Sequence, residues 1–344
     1  PKTVDIRSYK PTYEGHIGQI KKIAKAIEEK KKPLLYVGGG AIISGAEKEI
    51  LELAHKTDVP VTMTFMGLGA FPADDPLSLG MLGMHGTAYA NLAVQESDLI
   101  VAIGARFDDR VTGRIDAFAP SATIVHIDID PSSVSKNVRV DIPVIGDART
   151  VLKELLNVVK EKKHAEWHKT ISKWKKEMPL KYKDDNCLRP QYVIEQVCEA
   201  VREKDAIICT EVGQHQMWTA QFFRFAKPRT WISSGGLGTM GYGFPAAMGA
   251  KVGRPEAIVI DIAGDGSIQM NIQELATVVM EKIPVKIFVL LAAWITLSWL
   301  LGIDVEGDYP QWSKVMKIYF MTLVALSLLR TKLQINAFAW VTVG

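Results

Sequence analysis

Short apolar runs alternate with amphipathic stretches of helical period along most of the chain, the pattern of parallel strands joined by helices. The first block, 15–160, predicts a helix over 17–30, a strand over 33–37, helices over 46–56 and 87–95, and strands over 59–64 and 98–104. Strands over 122–129 and 143–145 and a helix over 150–160 complete it. Residues 161–190 are charged and amphipathic and read as an interdomain connection. A second block, 191–290, predicts strands over 206–210, 230–233, 257–263 and 285–290, with a helix over 271–280. The expected fold class is α/β: parallel-sheet domains covered by helices on both faces, the second domain incomplete.

The pattern changes after residue 290. Four of the eight Trp fall in 291–344, against three acids, Asp304, Glu306 and Asp308, so this stretch reads as a divergent apolar tail. The uncharged run 287–303 reaches only the lower edge of a membrane helix. Its first residues already belong to the last strand, which argues against a membrane span. Residues 1–14 begin at Pro1 without an initiator Met or signal pattern, and read as a linker from an N-terminal domain that the sequence lacks.

Composition narrows the function classes. The net charge is only +3 and the Lys runs at 30–32 and 160–163 lie beside Glu, which leaves no nucleic-acid footprint. Three cysteines, Cys187, Cys198 and Cys209, are odd in number and lack metal spacing. They fit a reducing compartment, the cytoplasm (or a plastid or mitochondrion in a eukaryote), better than a disulfide scaffold.

Candidate chemistry gathers at predicted strand ends, where open α/β sheets bind ligands. Gly264-Asp265-Gly266-Ser267 follows an apolar strand. It reads either as a tight βα turn or as a loop whose Asp265 holds Mg²⁺ on a diphosphate, since Mg²⁺ takes one or two protein carboxylates and draws other ligands from phosphate. Gly38-Gly39-Gly40 permits a close backbone approach to phosphate. In the run 104–113, Arg106, Asp108, Asp109 and Arg110 are either a surface ion-pair set or a ligand loop. Asp128 is either a ribose-hydroxyl acceptor or a turn cap. Gln214 and His215 open a predicted helix, a natural anion site, although a packed turn histidine fits as well. Met240, within the glycine-rich run 235–243, is either core or a prop for a flat cofactor.

Taken together these motifs resemble the large, catalytic subunit of acetolactate synthase (acetohydroxyacid synthase), a thiamine-diphosphate enzyme, over residues 1 to about 290. The resemblance rests on His85-Gly86-Thr87, the run from Arg106 to Gly113, Val212-Gly213-Gln214-His215-Gln216-Met217-Trp218, Gly238-Thr239-Met240-Gly241 and Gly264-Asp265-Gly266-Ser267, all in family order. It implies a middle FAD-binding domain and the start of a thiamine-diphosphate domain. The implied FAD contacts are Gly38, Gly39, Gly40, Thr64, Met84, His85, Gly104, Ala105, Arg106, Asp108, Arg110, Asp128 and Asp147. Implied thiamine-diphosphate contacts are Gln214, His215, Gly238, Met240, Gly266 and Ser267, with Asp265 on Mg²⁺. The implied reaction joins decarboxylated pyruvate to a second 2-oxo acid, pyruvate or 2-oxobutyrate, in branched-chain amino-acid biosynthesis. A homodimer or tetramer and a small regulatory subunit are implied as well.

Two departures qualify that expectation. The glutamate that activates the cofactor in this family belongs to the N-terminal domain, so no catalytic residue of that kind is expected in this chain. The second Mg²⁺ ligand position, an asparagine in the family, is occupied by Ala292, which has no side-chain oxygen. The sequence therefore predicts weak diphosphate binding and no turnover in isolation, and the abrupt change after Leu290 reads as a frameshift or wrong join. Two other readings stay open: a sister carboligase or decarboxylase such as a glyoxylate carboligase, and a non-catalytic FAD- or partner-binding protein tethered to a membrane by 287–303.

Overall fold

The computed structural model describes residues 10–183 and 189–289. The described chain forms two compact units, one running to Lys181 and taking in Arg224–Arg229, the other holding Tyr182–Phe223 and the chain from Thr230. The expected tail, Ala292 and most of the apolar run 287–303 lie outside the described residues, as does most of the expected N-terminal linker.

The first unit is built on six parallel strands: β1 (Pro33–Val37), β2 (Val61–Met63), β3 (Ser78–Met81), β4 (Leu99–Ile103), β5 (Thr123–Asp128) and β6 (Ile142–Ile145). Their order is β3-β2-β1-β4-β5-β6. The chain reverses direction across the sheet between β1 and β4, a topological switch point. Both strands are buried at every residue, which explains why each is a continuous apolar run. The helices are α1 (Ile17–Glu29), α2 (Gly39–Ser44), α3 (Glu47–Thr57), α4 (Ala88–Glu96), α5 (Asp109–Thr112), α6 (Ala148–Val158) and α7 (Ala165–Glu177). Helix α6 buries Val151, Leu152, Leu155 and Leu156, the i, i+1, i+4, i+5 stripe of an amphipathic helix. Asp147 starts it by accepting the Thr150 N–H.

Strand β3 and helix α7 are among the elements that go beyond the sequence reading. Strand β3 is four residues long, carries Gly80 at φ +70° and pairs with β2 in a shifted register, so it has too little apolar alternation to read. Helix α7 lies inside the segment expected as a connection. It docks through Trp167 and Ile171, both buried, and the Trp167 indole donates to the Pro33 carbonyl at 3.0 Å. Around these anchors, Trp174 is partly buried and the rest of the helix is mostly charged, which hid its apolar stripe.

The second unit has four parallel strands, β7 (Ala206–Thr210), β8 (Trp231–Ser233), β9 (Ile258–Ala263) and β10 (Lys286–Val289), in the order β10-β9-β7-β8. Its helices are α8 (Pro190–Ala200), α9 (Gln214–Phe222), α10 (Gly243–Gly253), α11 (Asp265–Gln269) and α12 (Glu274–Met280). Ala247 and Ala250 of α10 pack over Ile207, Cys209 and Val259 of the central strands. No helix among the described residues is long and apolar enough to cross a membrane.

Candidate functional site

In the first unit every strand's C-terminal end carries candidate residues. Gly38, Gly39 and Gly40 follow β1; Thr64 follows β2; Met84 and His85 follow β3; Gly104 to Arg110 follow β4; Asp128 ends β5; Asp147 follows β6. The loops after β1 and β4 flank the switch point and touch. A Cβ on Gly38 would sit 2.2 Å from the Gly104 carbonyl oxygen, so close packing of the two loops is itself a reason for glycine there.

Several of these side chains hold their own loops. Thr64 accepts from Gly67 N, and Asp108 accepts from Arg110 N to start α5. Asp128 accepts from Asp130 N at 2.9 Å, as the turn-cap reading has it. Arg106 pairs with Asp108. Burial alone pushes the Asp108 carboxyl up, but hydrogen bonds in its turn and the Arg106 and Arg110 guanidiniums together hold it below its usual range. Met84 stands 67% exposed beside the loop. The loop is braced from beneath by a residue that sequence reasoning passed over. His126, fully buried, bonds through Nε2 to the Ala105 carbonyl at 2.7 Å, and Phe107 wedges between Tyr36, Phe118 and His126.

In the second unit three loops converge at the C-terminal ends of β7, β8 and β9. Ser267 Oγ donates to the Val212 carbonyl at 3.4 Å. A Cβ on Gly238 would lie 3.5 Å from the Val212 side chain, and one on Gly266 3.4 Å from Met240 Cε. Met240 is 44% exposed, so it is no core residue; it lies against the Gly266 backbone. His215 is wedged between Gly213 and Gly264, since a Cβ on either would come within 2.8 Å of its ring. Gly213 has φ +151°, ψ −173°, a region essentially restricted to glycine. Burial outweighs the Asp265 charge and lowers the His215 pKa to about 4, so the imidazole is neutral at pH 7. Its Nε2 is buried with no hydrogen-bond partner among the described residues. Gln214 is exposed and Asp265 half-buried, at the start of their helices.

These loops have counterparts. Residues 20–155 match the central domain of thiamine pyrophosphate enzymes, and residues 211–294 match their C-terminal TPP-binding domain. The chain belongs to the thiamine pyrophosphate enzymes. It is 51% identical over 282 residues to an acetolactate synthase large subunit of Buchnera aphidicola, covering 80% of this chain and 49% of that protein. A probable acetolactate synthase large subunit of Methanocaldococcus jannaschii is 52% identical over 298 residues, 83% of this chain and 50% of that protein. The isozyme 3 large subunit of Escherichia coli is 47% identical over 293 residues, 83% and 51% respectively. The chain thus spans about half the length of the curated relatives it matches.

Two features at the same loops escaped the sequence reading. Thr210, Ser233 and Gln216 form a buried network, with Gln216 Nε2 donating to Ser233 Oγ at 2.8 Å. Asp261 on β9 and Glu211, the residue just past the end of the neighbouring β7, are both fully buried. A lone acid inside the apolar run of β9 was the available signal.

Proposed function

We propose that this chain is the part of an acetolactate synthase large subunit that carries thiamine diphosphate, Mg²⁺ and FAD, and that joins decarboxylated pyruvate to a second 2-oxo acid, pyruvate or 2-oxobutyrate. The observation that carries the reading is the meeting of three loops, 212–215, 238–241 and 264–267, in the unit that matches the TPP-binding domain. The donor set fits the group: a half-buried carboxylate, a buried unpartnered imidazole nitrogen and glycines that leave the backbone open.

In this reading Gln214, His215, Gly238, Met240, Gly266 and Ser267 hold thiamine diphosphate, and Asp265 holds Mg²⁺. Bound thiamine diphosphate supplies a nucleophilic carbon and accepts the electron pair left by CO₂. The protein's own part is to bind, orient and shield. His215, being neutral, adds no positive charge, so a metal held by Asp265 would supply the charge that balances a bound diphosphate. Met240 presses a thioether toward the Gly266 backbone and limits how a flat ring can lie there.

The first unit fits a dinucleotide. Its loops meet at the switch point, two guanidiniums project from the loop after β4, and the Asp128 carboxylate ends β5. FAD held there by Gly38, Gly39, Gly40, Thr64, Met84, His85, Gly104, Ala105, Arg106, Asp108, Arg110, Asp128 and Asp147 is part of the same proposal. So are assembly into a homodimer or tetramer and a small regulatory subunit.

The test is titration of the whole chain and of its Ala292→Asn variant with thiamine diphosphate, with and without Mg²⁺, followed by tryptophan fluorescence. The expected result is Mg²⁺-dependent binding that strengthens at least about tenfold in Ala292→Asn, as restored metal ligation does, and that Asp265→Ala abolishes. Absence of binding in both chains, or binding indifferent to Mg²⁺ and Asp265, overturns the reading. Product analysis with pyruvate and 2-oxobutyrate then separates it from a sister carboligase.

A further inference from the structure

Two carboxylic acids that this reading leaves idle meet beneath the loops of the second unit. Asp261 lies in β9 beside Cys209 of β7, and Glu211 follows Cys209 by two residues, hence on the same face of the sheet. Helix α10 covers that face and begins over the acids. A Cβ on Gly243, its first residue, would lie 1.9 Å from Glu211 Oε2 and 2.6 Å from Asp261 Oδ1. Oxygens from β9 and from the residue just past β7 therefore converge on one point. Both residues are 0% exposed, and none of the four oxygens has a hydrogen-bond partner among the described residues.

Two carboxylates so close and so dry do not both stay ionised. Nothing packed around them among the described residues supplies a neutralising cation. The titratable groups on the surrounding elements are the Cys209 thiol on β7, His215 on α9 and Asp265 on α11. Helix α10 offers no charge before Lys251, whose ammonium is held by the carbonyls of Pro255 and Ala257. On β10 the residue beside Asp261 is Ile287, and Lys286 is exposed. The positive end of the α10 dipole and the backbone amides of Glu211 and Gly264 favour a negative charge here, enough to offset part of a single one.

We propose that Glu211 and Asp261 share a proton at neutral pH, as a carboxyl–carboxylate pair that ties β7 to β9 and fixes the spacing of the Gln214–His215 loop from the Asp265 loop. They are positioning residues. Only the role of those loops rests on the thiamine-diphosphate reading; the shared proton does not. Burial, and for Asp261 the Glu211 charge as well, raises both acids, Glu211 to about 7 and Asp261 well above its usual range. The folded protein therefore keeps protons that the unfolded chain loses above about pH 4. Through this pair, stability falls as pH rises from about 4 toward 7.

The experiment uses the whole chain and its Glu211→Gln, Asp261→Asn and double variants. Infrared spectra at neutral pH are expected to show a protonated-carboxyl C=O band that the double variant lacks. In urea unfolding, wild type is expected to lose ground relative to Glu211→Gln as pH rises from about 5 to about 7, because the amide is a permanent donor. Glu211→Gln is expected to bind Mg²⁺–thiamine diphosphate within about twofold of wild type, and Glu211→Ala at least about tenfold more weakly. The proposal is overturned if wild type shows no such band, if its pH profile parallels that of Glu211→Gln, or if Mg²⁺ alone abolishes the band, which makes the pair a cation site. The wild-type band needs no variant to fold. If band and profile hold while neither wild type nor Ala292→Asn binds the cofactor, the cofactor reading fails and the shared proton stands.

Discussion

The candidate acids and histidine at the strand ends of the two units are held differently. In the first, Thr64, Asp108, Asp128 and Asp147 each commit an oxygen to the backbone of their own turn. In the second, His215 Nε2 and all four oxygens of Glu211 and Asp261 are buried without partners among the described residues. The first edge is thus held in shape by its own side chains before any ligand arrives. The second leaves the buried His215 Nε2 without a partner, at a cost in stability of the kind buried unpaired groups carry, and sets its two buried acids against each other rather than against the backbone. Mutations at the first edge should therefore be felt mainly in folding, and mutations at the second mainly in binding and pH response.

The largest effect is expected away from both edges, where α7 joins the first unit. Trp167→Ala should cost about 3–5 kcal/mol in urea unfolding, since it empties a large buried site and leaves the Pro33 carbonyl unpaired. Trp167→Phe, which keeps most of the volume and loses the indole donor, should cost about 1–2 kcal/mol. An effect near zero for Trp167→Ala would mean that 165–177 is a detachable connection, as its charge pattern first suggested.

That contrast also shows what was legible in the chain. Strands β1 and β7 fall where the apolar runs put them, because a strand buried on both faces leaves an unbroken run. Helix α7 did not, because Trp167 and Ile171 had to be picked out of thirteen residues of which most are charged or polar. The loops of both candidate sites were legible because glycine, acid and histidine stand together at strand ends. The Glu211–Asp261 pair was not, since fifty residues separate two acids that only sheet register brings together.

The next effect concerns pH. His215 has its pKa lowered by burial to about 4, below its ordinary value of about 6.5. The unfolded chain takes up that proton first as pH falls, so this contribution is whole above about pH 6.5 and is lost between there and about pH 4. It amounts to about 3 kcal/mol at most. His215→Gln should flatten this slope in urea midpoints measured across that window. The slope runs opposite to that of the acid pair, so wild type should show a shallow net profile, and Glu211→Gln should expose the rise with pH that His215 produces. A Glu211→Gln profile without that rise would place a charged imidazole in the folded protein.

At the first edge, Asp147→Ala should cost about 1 kcal/mol, because it frees the Thr150 N–H at the start of α6. Asp147→Asn, an equally good cap, should cost little. If the two variants were equal in stability and differed only in flavin affinity, the first edge would resemble the second after all.

Met240→Ala should have the smallest effect on folding, under about 0.5 kcal/mol, because a side chain that is 44% exposed gives up little buried area. Its neighbour is the Gly266 backbone, in the loop that also carries Asp265 and Ser267. The variant should therefore bind Mg²⁺–thiamine diphosphate several-fold more weakly at unchanged unfolding midpoint. A loss of stability without a loss of binding would return Met240 to the core and leave the three-loop arrangement without its one apolar prop. Loss of binding alone would separate the two edges most cleanly, because no side chain at the first edge that holds its own turn can be removed without a cost in folding.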